Sequence, residues 1–318
     1  MTDSTIPKIK IGISACLMGE KVRFDSGHKN NTYIKGTLSD YFEFISFCPE
    51  MDIGLGVPRQ AIRLVSTNEG VRCIGSKTPE LDVTELLYQS AEKKREWHEE
   101  LCGYILKKDS PSCGMERVKL YKSEMAERKG IGLYAERLMK NFPNLPIEEE
   151  GRLGDARLRE NFIQRVYIFS RWKSLKQNGF SLSELQSFHA RHKYIFMSHD
   201  QLVAKQLGNQ LANGKGTDFE SLSSNYLTEM MTLLKKVATR NNHVNTLQHI
   251  QGYLKKQLTA DDKQEMQASI EAYRKGLLPL IVPITLLRHH FRLYPNTYIT
   301  DSFYMQPHPG ELMLLNNL

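Results

Sequence analysis

Cysteine is scarce in this 318-residue chain, at five residues, and tryptophan scarcer, at two. The thiols, Cys16, Cys48, Cys73, Cys102 and Cys113, form an odd and widely spaced set. That argues against a disulfide framework, and a chain of this length can bury ordinary hydrophobic cores without one. Also missing is any run of roughly 18 apolar residues able to cross a bilayer, and the polar start MTDSTIPK has no apolar signal-peptide core. The expectation is a cytoplasmic protein with no membrane partner and no obligate protein partner. Close C-x-x-C pairs, internal repeats, heptads and low-complexity tracts are absent too. The first absence weakens a structural zinc reading, and the others leave ordinary globular domains. Metal ligation or catalysis is what the thiols leave to be explained.

What is present is charge, unevenly placed. The formal net charge is +7. Residues 1–150 hold 22 Lys and Arg against 23 Asp and Glu; residues 151–318 hold 21 against 13, so a surplus of +8 lies in the second half. Eight of the ten histidines lie there as well and are expected to add charge in mildly acidic surroundings. A basic half joined to a neutral one suits a polyanion grip beside a separate working site. A solubilising surface is the plainer alternative.

Periodicity orders the chain. KIKIGISAC alternates Ile9, Ile11 and Ile13 as a strand does and ends on Cys16; FEFISF repeats the pattern and closes on Cys48. AIRLVSTNEGVRCI reads as two strands around an Asn-Glu-Gly turn, with Cys73 packed on the second. Residues 81–100 have helical composition, with Leu86, Leu87, Ala91 and Trp97 near one face. LCGYIL is a third strand, IGLYAERLMKNF a further helix, and NLPIEEE a fourth strand. Strands alternating with helices predict an α/β domain over 1–150, Rossmann-like and three-layered, with a mostly parallel sheet. The polar EEGRLGDAR stretch marks the boundary. Beyond it, residues 151–318 read as all-α. Leu158, Phe162, Val166 and Phe169 recur at helical spacing, Asn178-Gly179 stops that helix, and Ser181 with Glu184 offers a capping box for the next. Further helices fit 200–213, 218–240, 242–258 and 261–275, with Pro279 and Pro283 breaking or kinking the remainder of the chain.

Cys16, Cys48 and Cys113 share a setting: each follows a strand and stands beside turn-forming residues. In an open parallel sheet the carboxyl ends of strands lie along one edge, where ligands bind, so these three can converge despite their separation. Three thiolates can hold zinc or an iron-sulfur cluster; a cluster on three cysteines leaves one iron open as a Lewis acid. Ordinary buried cysteines are the alternative. Cys73 and Cys102 sit within regular structure and are assigned to packing.

The segments SACLMGEKVRFDSGHK, FCPE followed by GLGVPR, and SPSCG together resemble the thiouracil desulfurase family (TudS) over roughly residues 7–150. From residue 151, RLRENFIQRVYIFSRW, HVNTLQHIQGYLKKQL and QPHPGEL resemble the YbgA-like domain, and the fused arrangement is similar to the tRNA 4-thiouridine desulfidases (RudS). The resemblance implies a 4Fe-4S cluster on Cys16, Cys48 and Cys113 and removal of sulfur from 4-thiouridine in tRNA without net redox change. It also implies that Glu50 and Ser110 assist, Glu50 as the base for the attacking water or a proton relay to the ring and Ser110 as a contact to the sulfur or the pyrimidine edge. Without the family context, Glu50 is a turn or helix-cap residue, and Ser110 and Ser112 hold their turn through local bonds. Arg23 and Asp25 either position substrate or brace the Cys16 loop; Arg59 meets a phosphate or a nearby carboxylate. His28 has a structural role. The charged segment ERVKLYKSEMAERKGIGLYAE either faces substrate or is a solvated insertion.

In the basic half, Arg165, Arg171, Lys173, Arg191, Lys193, Arg288 and Arg292 recur beside Trp172, Tyr194, Phe291 and Tyr294. Cations neutralise phosphates and aromatics stack on unpaired bases, so these are the candidate tRNA contacts. Taken singly, each cluster reads better as an amphipathic helix with a charged outer face; together with the charge balance and the resemblance they favour RNA. His189 and His192 fit one helix face and read as surface residues. Two alternatives stand beside the tRNA reading: a desulfurase of free thiopyrimidine bases or nucleosides, and a non-catalytic nucleic-acid-binding protein with a structural metal.

Overall fold

The computed structural model describes residues 8–123, 125–177, 179–312 and 314–316. The expected Asn178 stop and the polar residues 1–7 lie outside them. The chain divides into two units, residues 1–154 and 155–318. As the periodicity predicts, strands and helices alternate in the first and helices make the second.

The first unit contains β1 (Ile9–Ser14), β2 (Phe42–Phe47), β3 (Ile62–Thr67), β4 (Gly70–Gly75), β5 (Gly103–Leu106), β6 (Val118–Lys122), β7 (Met125–Gly130) and β8 (Ile147–Glu149). One sheet has the order β2-β1-β5-β8 with every pair parallel. Its inner strands are covered on both faces: in β1 Ile11 and Ile13 are fully buried, and β5, GYIL, is a continuous apolar run buried throughout. From β1 the chain winds to one side, to β2, and later enters on the other side as β5. The winding direction therefore reverses between β1 and β5, and a crevice opens at their carboxyl ends.

The second sheet, β4-β3-β6-β7, assembles from two hairpins inserted in the crossovers of the first. Cys73 is fully buried there opposite Leu64, as expected of a packing residue. The charged segment after SPSCG, which the sequence leaves open between a substrate-facing loop and a solvated insertion, is the β6–β7 hairpin, joined in parallel to β3 at Leu64–Leu120 and Val65–Tyr121. Along β7 every described residue but Gly130 is exposed, so no apolar alternation announces the strand. The helical stretch at 81–100 is two helices, Thr84–Lys93 and Arg95–Glu100. Leu87 and Ala91, four apart, form its buried stripe; Leu86 falls beside it and is 44% exposed.

In the second unit, helices Ala156–Gln177, Leu182–His199, Gln201–Ala212, Phe219–Lys235, Arg240–Gln251, Ala260–Arg274 and Ile281–Leu293 enclose a core around Phe196, Leu207, Tyr226 and Met230. The capping box forms as read, with Ser181 Oγ accepting from Glu184 N and the Glu184 carboxylate from Ser181 N. Pro283 does not break its helix: it sits in the first turn, where a missing N–H leaves no intrahelical bond unmade. His189 and His192 are buried rather than at the surface. Burial lowers their pKa to about 4 and about 3, and that of His199 to about 4, so these imidazoles stay neutral in mild acid instead of adding charge. No described helix is long and apolar enough to cross a membrane.

Candidate active site

At the carboxyl ends of β1, β2 and β5 lies a cavity of about 460 Å3 lined by Cys16, Cys48, Glu50, Arg59, Ser110 and Cys113 among others. Each cysteine is held by a local device. Cys16 lies in the 3-10 turn Ala15–Met18, closed by Gly19 at φ 94°, a left-handed conformation that glycine adopts without strain. Lys29 N donates to Cys16 O at 2.8 Å and Asn31 N to Leu17 O at 3.0 Å, folding the VRFDSGHKN loop back over it. Cys48 precedes Pro49, which opens the short helix Pro49–Asp52.

Cys113 sits in a turn closed by Gly114 N donating to Ser110 O at 2.8 Å, while Ser110 Oγ accepts from Cys113 N at 3.1 Å. Helix Leu133–Asn141 begins on this turn, Leu133 N donating to Pro111 O and Ala135 N to Ser112 O, both at 3.1 Å. The approach needs Gly132: a Cβ there would stand 2.6 Å from the Ser112 carbonyl.

Polar side chains join the three strand ends. Glu50 Oε2 receives Arg59 Nη2 at 2.6 Å, and Glu50 Oε1 receives the Ser112 hydroxyl at 2.6 Å. Ser112 Oγ also lies 2.9 Å from Ser110 Oγ and 3.6 Å from Cys113 Sγ. A hydroxyl has one proton to give, and the short contact to a carboxylate takes it in preference to the long one to sulfur. Ser110 then donates to Ser112, which makes a directed chain Ser110 to Ser112 to Glu50. Arg59 is fully committed: besides Glu50 it donates to Val22 O at 2.9 Å and Gly56 O at 2.6 Å. It meets the nearby carboxylate. Arg23 lines the cavity, whereas Asp25 does not, and the Asp25 carboxylate accepts Gly27 N at 3.0 Å within its own loop. His28 Nδ1 likewise accepts Asn30 N at 3.2 Å.

Sequence reasoning weighed Ser112 only as a turn residue and missed Ser14 and Lys107, which also line the cavity. Lys107 N donates to Ser14 Oγ at 3.0 Å, tying the end of β5 to that of β1, and Lys107 Nζ pairs with Glu150. The strand-end position of Ser14 and Lys107, shared with the cysteines, was the available signal.

The expected 4Fe-4S cluster is not supported. Cys16, Cys48 and Cys113 do share the cavity, but among the described residues no group of three or more His, Cys, Asp or Glu stands where it could hold a metal ion. Burial pushes the Cys16 thiol up to about 11, with Cys48 adding to the effect, and burial raises Cys48 and Cys113 as well. The Cys48 S–H faces Val22 O at 3.9 Å.

The candidate tRNA contacts separate by exposure. Arg165 is buried and donates to Asn161 Oδ1 at 3.0 Å, so it belongs to the core. Trp172, Tyr194 and Phe291 are buried too, which removes them as stacking platforms; Tyr294 is exposed. Arg191 and Arg292 are exposed, and Arg171, Lys173, Lys193 and Arg288 half-buried.

A family model described as 2-thiouracil desulfurase matches residues 11–150, and one described as a protein of unknown function (DUF1722) matches residues 193–309. The uncharacterized protein YbgA of Escherichia coli (strain K12) is 27% identical over 159 residues, which cover 50% of this chain and 94% of that protein. Among solved structures, the 4Fe-4S-dependent thiouracil desulfidase TudS is similar at 26% identity, covering 46% of this chain and 94% of its own, with a TM-score of 0.38. The family match links the first unit to desulfurase activity. The chain thus joins an N-terminal 2-thiouracil-desulfurase-like domain to a C-terminal DUF1722/YbgA-like domain.

Proposed function

We propose that the protein is a desulfidase that replaces the sulfur of 4-thiouridine in tRNA by oxygen. The balance is hydrolytic: C4=S and water give C4=O and hydrogen sulfide, with no change of oxidation state. The observation that carries the reading is the cavity in which the three strand ends meet, with the Ser110–Ser112–Glu50 chain on its wall. Its volume, about 460 Å3, suits a nucleoside-sized ligand.

Glu50 Oε1 already holds the Ser112 hydroxyl, so a proton from the attacking water or the pyrimidine has a path to the carboxylate through the serines. Arg59 holds the Glu50 carboxylate in place for that task. Ser110 is the member of the chain nearest the substrate, and the three thiols give the thione sulfur a soft, weakly polar surround. Support for RNA over a free nucleoside comes from the +8 balance of residues 151–318, which a small substrate does not need.

The test is to incubate the protein with thiolated tRNA and, separately, with free 4-thiouridine, following loss of the thionucleoside and release of sulfide. Turnover of tRNA in preference to the nucleoside supports the proposal. Turnover of the nucleoside alone transfers it to small thiopyrimidines, and no sulfide from either sinks it.

A further inference from the structure

In the second unit, Arg171 of helix Ala156–Gln177 and Arg191 of helix Leu182–His199 converge on one aromatic ring. Their guanidinium carbons lie 3.7 Å and 4.2 Å from the centroid of Phe303. All three line a cavity of about 490 Å3, at whose mouth Arg191, Thr300 and Asp301 are exposed. Arg171 Nη2 donates to Pro307 O at 2.7 Å, while its Nη1 is buried with no hydrogen-bond partner among the described residues; Arg191 Nε donates to Asp301 O at 3.3 Å. Among the described residues, neither guanidinium has a carboxylate within ion-pairing distance, that of Asp301 included.

Two adjacent cations without a counter-ion are costly, because a sheltered charge normally has a partner of opposite sign. The strain is visible in Arg171, whose pKa falls to about 10 through burial and then through the nearness of Arg191. A ring face offsets only part of this, since a cation–π contact is worth about 0.5–2 kcal/mol. Planar guanidinium forks match the oxygens of a phosphate. The surplus charge of this half favours a polyanion over a single small ion.

We propose that Arg171 and Arg191, set against Phe303, form a seat for a backbone phosphate of a polynucleotide strand. This rests on the reading of the substrate as RNA and names one place where the RNA is held. The full chain is titrated with fluorescently labelled tRNA at several salt concentrations, as wild type, Arg191→Gln and Arg171→Lys, with thermal midpoints measured alongside. Arg191→Gln should weaken binding about tenfold and reduce the slope of log affinity against log salt by about 1. Arg171→Lys, which keeps the charge and loses the fork, should weaken binding with the slope unchanged. If Arg171→Lys melts early, the exposed Arg191 variant decides.

Unchanged affinity and slope in Arg191→Gln, with a wild type that binds tRNA, overturn the phosphate seat and leave the desulfidase reading standing. A wild type that neither binds nor desulfurates tRNA removes both. Inorganic phosphate is probed alone by calorimetry. If Arg191→Gln abolishes its binding while tRNA binding is untouched, the seat belongs to a free anion and the polynucleotide assignment falls.

Discussion

Ser112 donates its hydroxyl proton to Glu50 Oε1 at 2.6 Å across 62 residues of sequence, joining the end of β5 to the end of β2. Ser112 is only 1% exposed, so it meets substrate through Ser110 and not directly. A buried relay alters the rate of proton transfer more than substrate affinity. Glu50→Gln should therefore lower kcat by about 10²–10⁴-fold, and Ser112→Ala should lower kcat with KM nearly unchanged. Steady-state desulfuration of thiolated tRNA measures both. A Ser112→Ala enzyme with wild-type kcat would remove the relay from the mechanism.

The Arg59–Glu50 pair lies in shelter, the side chains being 5% and 15% exposed. Arg59→Ala leaves the Glu50 charge without its partner and strips the Val22 and Gly56 carbonyls of their donor. A loss of about 3–5 kcal/mol in urea unfolding is expected. Combining Arg59→Met with Glu50→Gln removes both charges and should recover much of that loss while leaving the enzyme inactive. A double variant no more stable than Arg59→Ala would show that the carbonyl bonds, not the ion pair, dominate.

Gly132 tests how tightly the cysteine turn is held. An added Cβ would meet the Ser112 backbone at 2.6 Å and Cys113 N at 2.8 Å, neither of which can swing aside as a side-chain tip does. Gly132→Ala should cost about 1–3 kcal/mol and depress turnover by displacing Ser112 and Cys113. Gly154→Ala is the control, since a Cβ there meets nothing within 4 Å. Equal activity in the two variants would mean that the helix start does not position the turn.

The strands of the parallel sheet were legible because Ile9, Ile11 and Ile13 alternate and GYIL is apolar throughout, and the strand-end rule brought Cys16, Cys48 and Cys113 to one cavity before any coordinates. The second sheet was not legible, because β7 is exposed along its whole length but Gly130, Met125 included, so no alternation of apolar and polar side chains marks it. Ser112 was undervalued because its partner Glu50 is distant in sequence, and no local pattern encodes such a contact. How closely the three cysteines approach one another is a property of the packed fold, so they could be aligned from sequence while the absence of a metal-holding group among the described residues could not. Histidine misled in the same way: helical spacing placed His189 and His192 on one face but did not say that the face was inward.

That inward face should make the helical unit sensitive to acid. His189, His192 and His199 have folded pKa values of about 4, 3 and 4, against about 6.5 when unfolded. Below pH 6.5 the unfolded chain takes up protons that the folded chain refuses, so stability falls as pH drops from about 6.5 toward about 4. Each histidine contributes up to about 1.4 kcal/mol per pH unit. Glu160 works the other way: burial raises its carboxyl to about 8, so the folded state keeps a proton that the unfolded state releases down to pH 4.5, and this cancels roughly one histidine. Urea midpoints at pH 7.5, 6 and 5 should show a net decline below pH 6.5. His192, fully buried among Phe188, Phe196 and Phe303 with Nε2 unpartnered among the described residues, is the sharpest probe. His192→Phe should cost little at pH 7.5 and flatten the decline by about 1.4 kcal/mol per unit. An identical pH slope in that variant would show that the imidazole is charged, or solvated, in the folded protein.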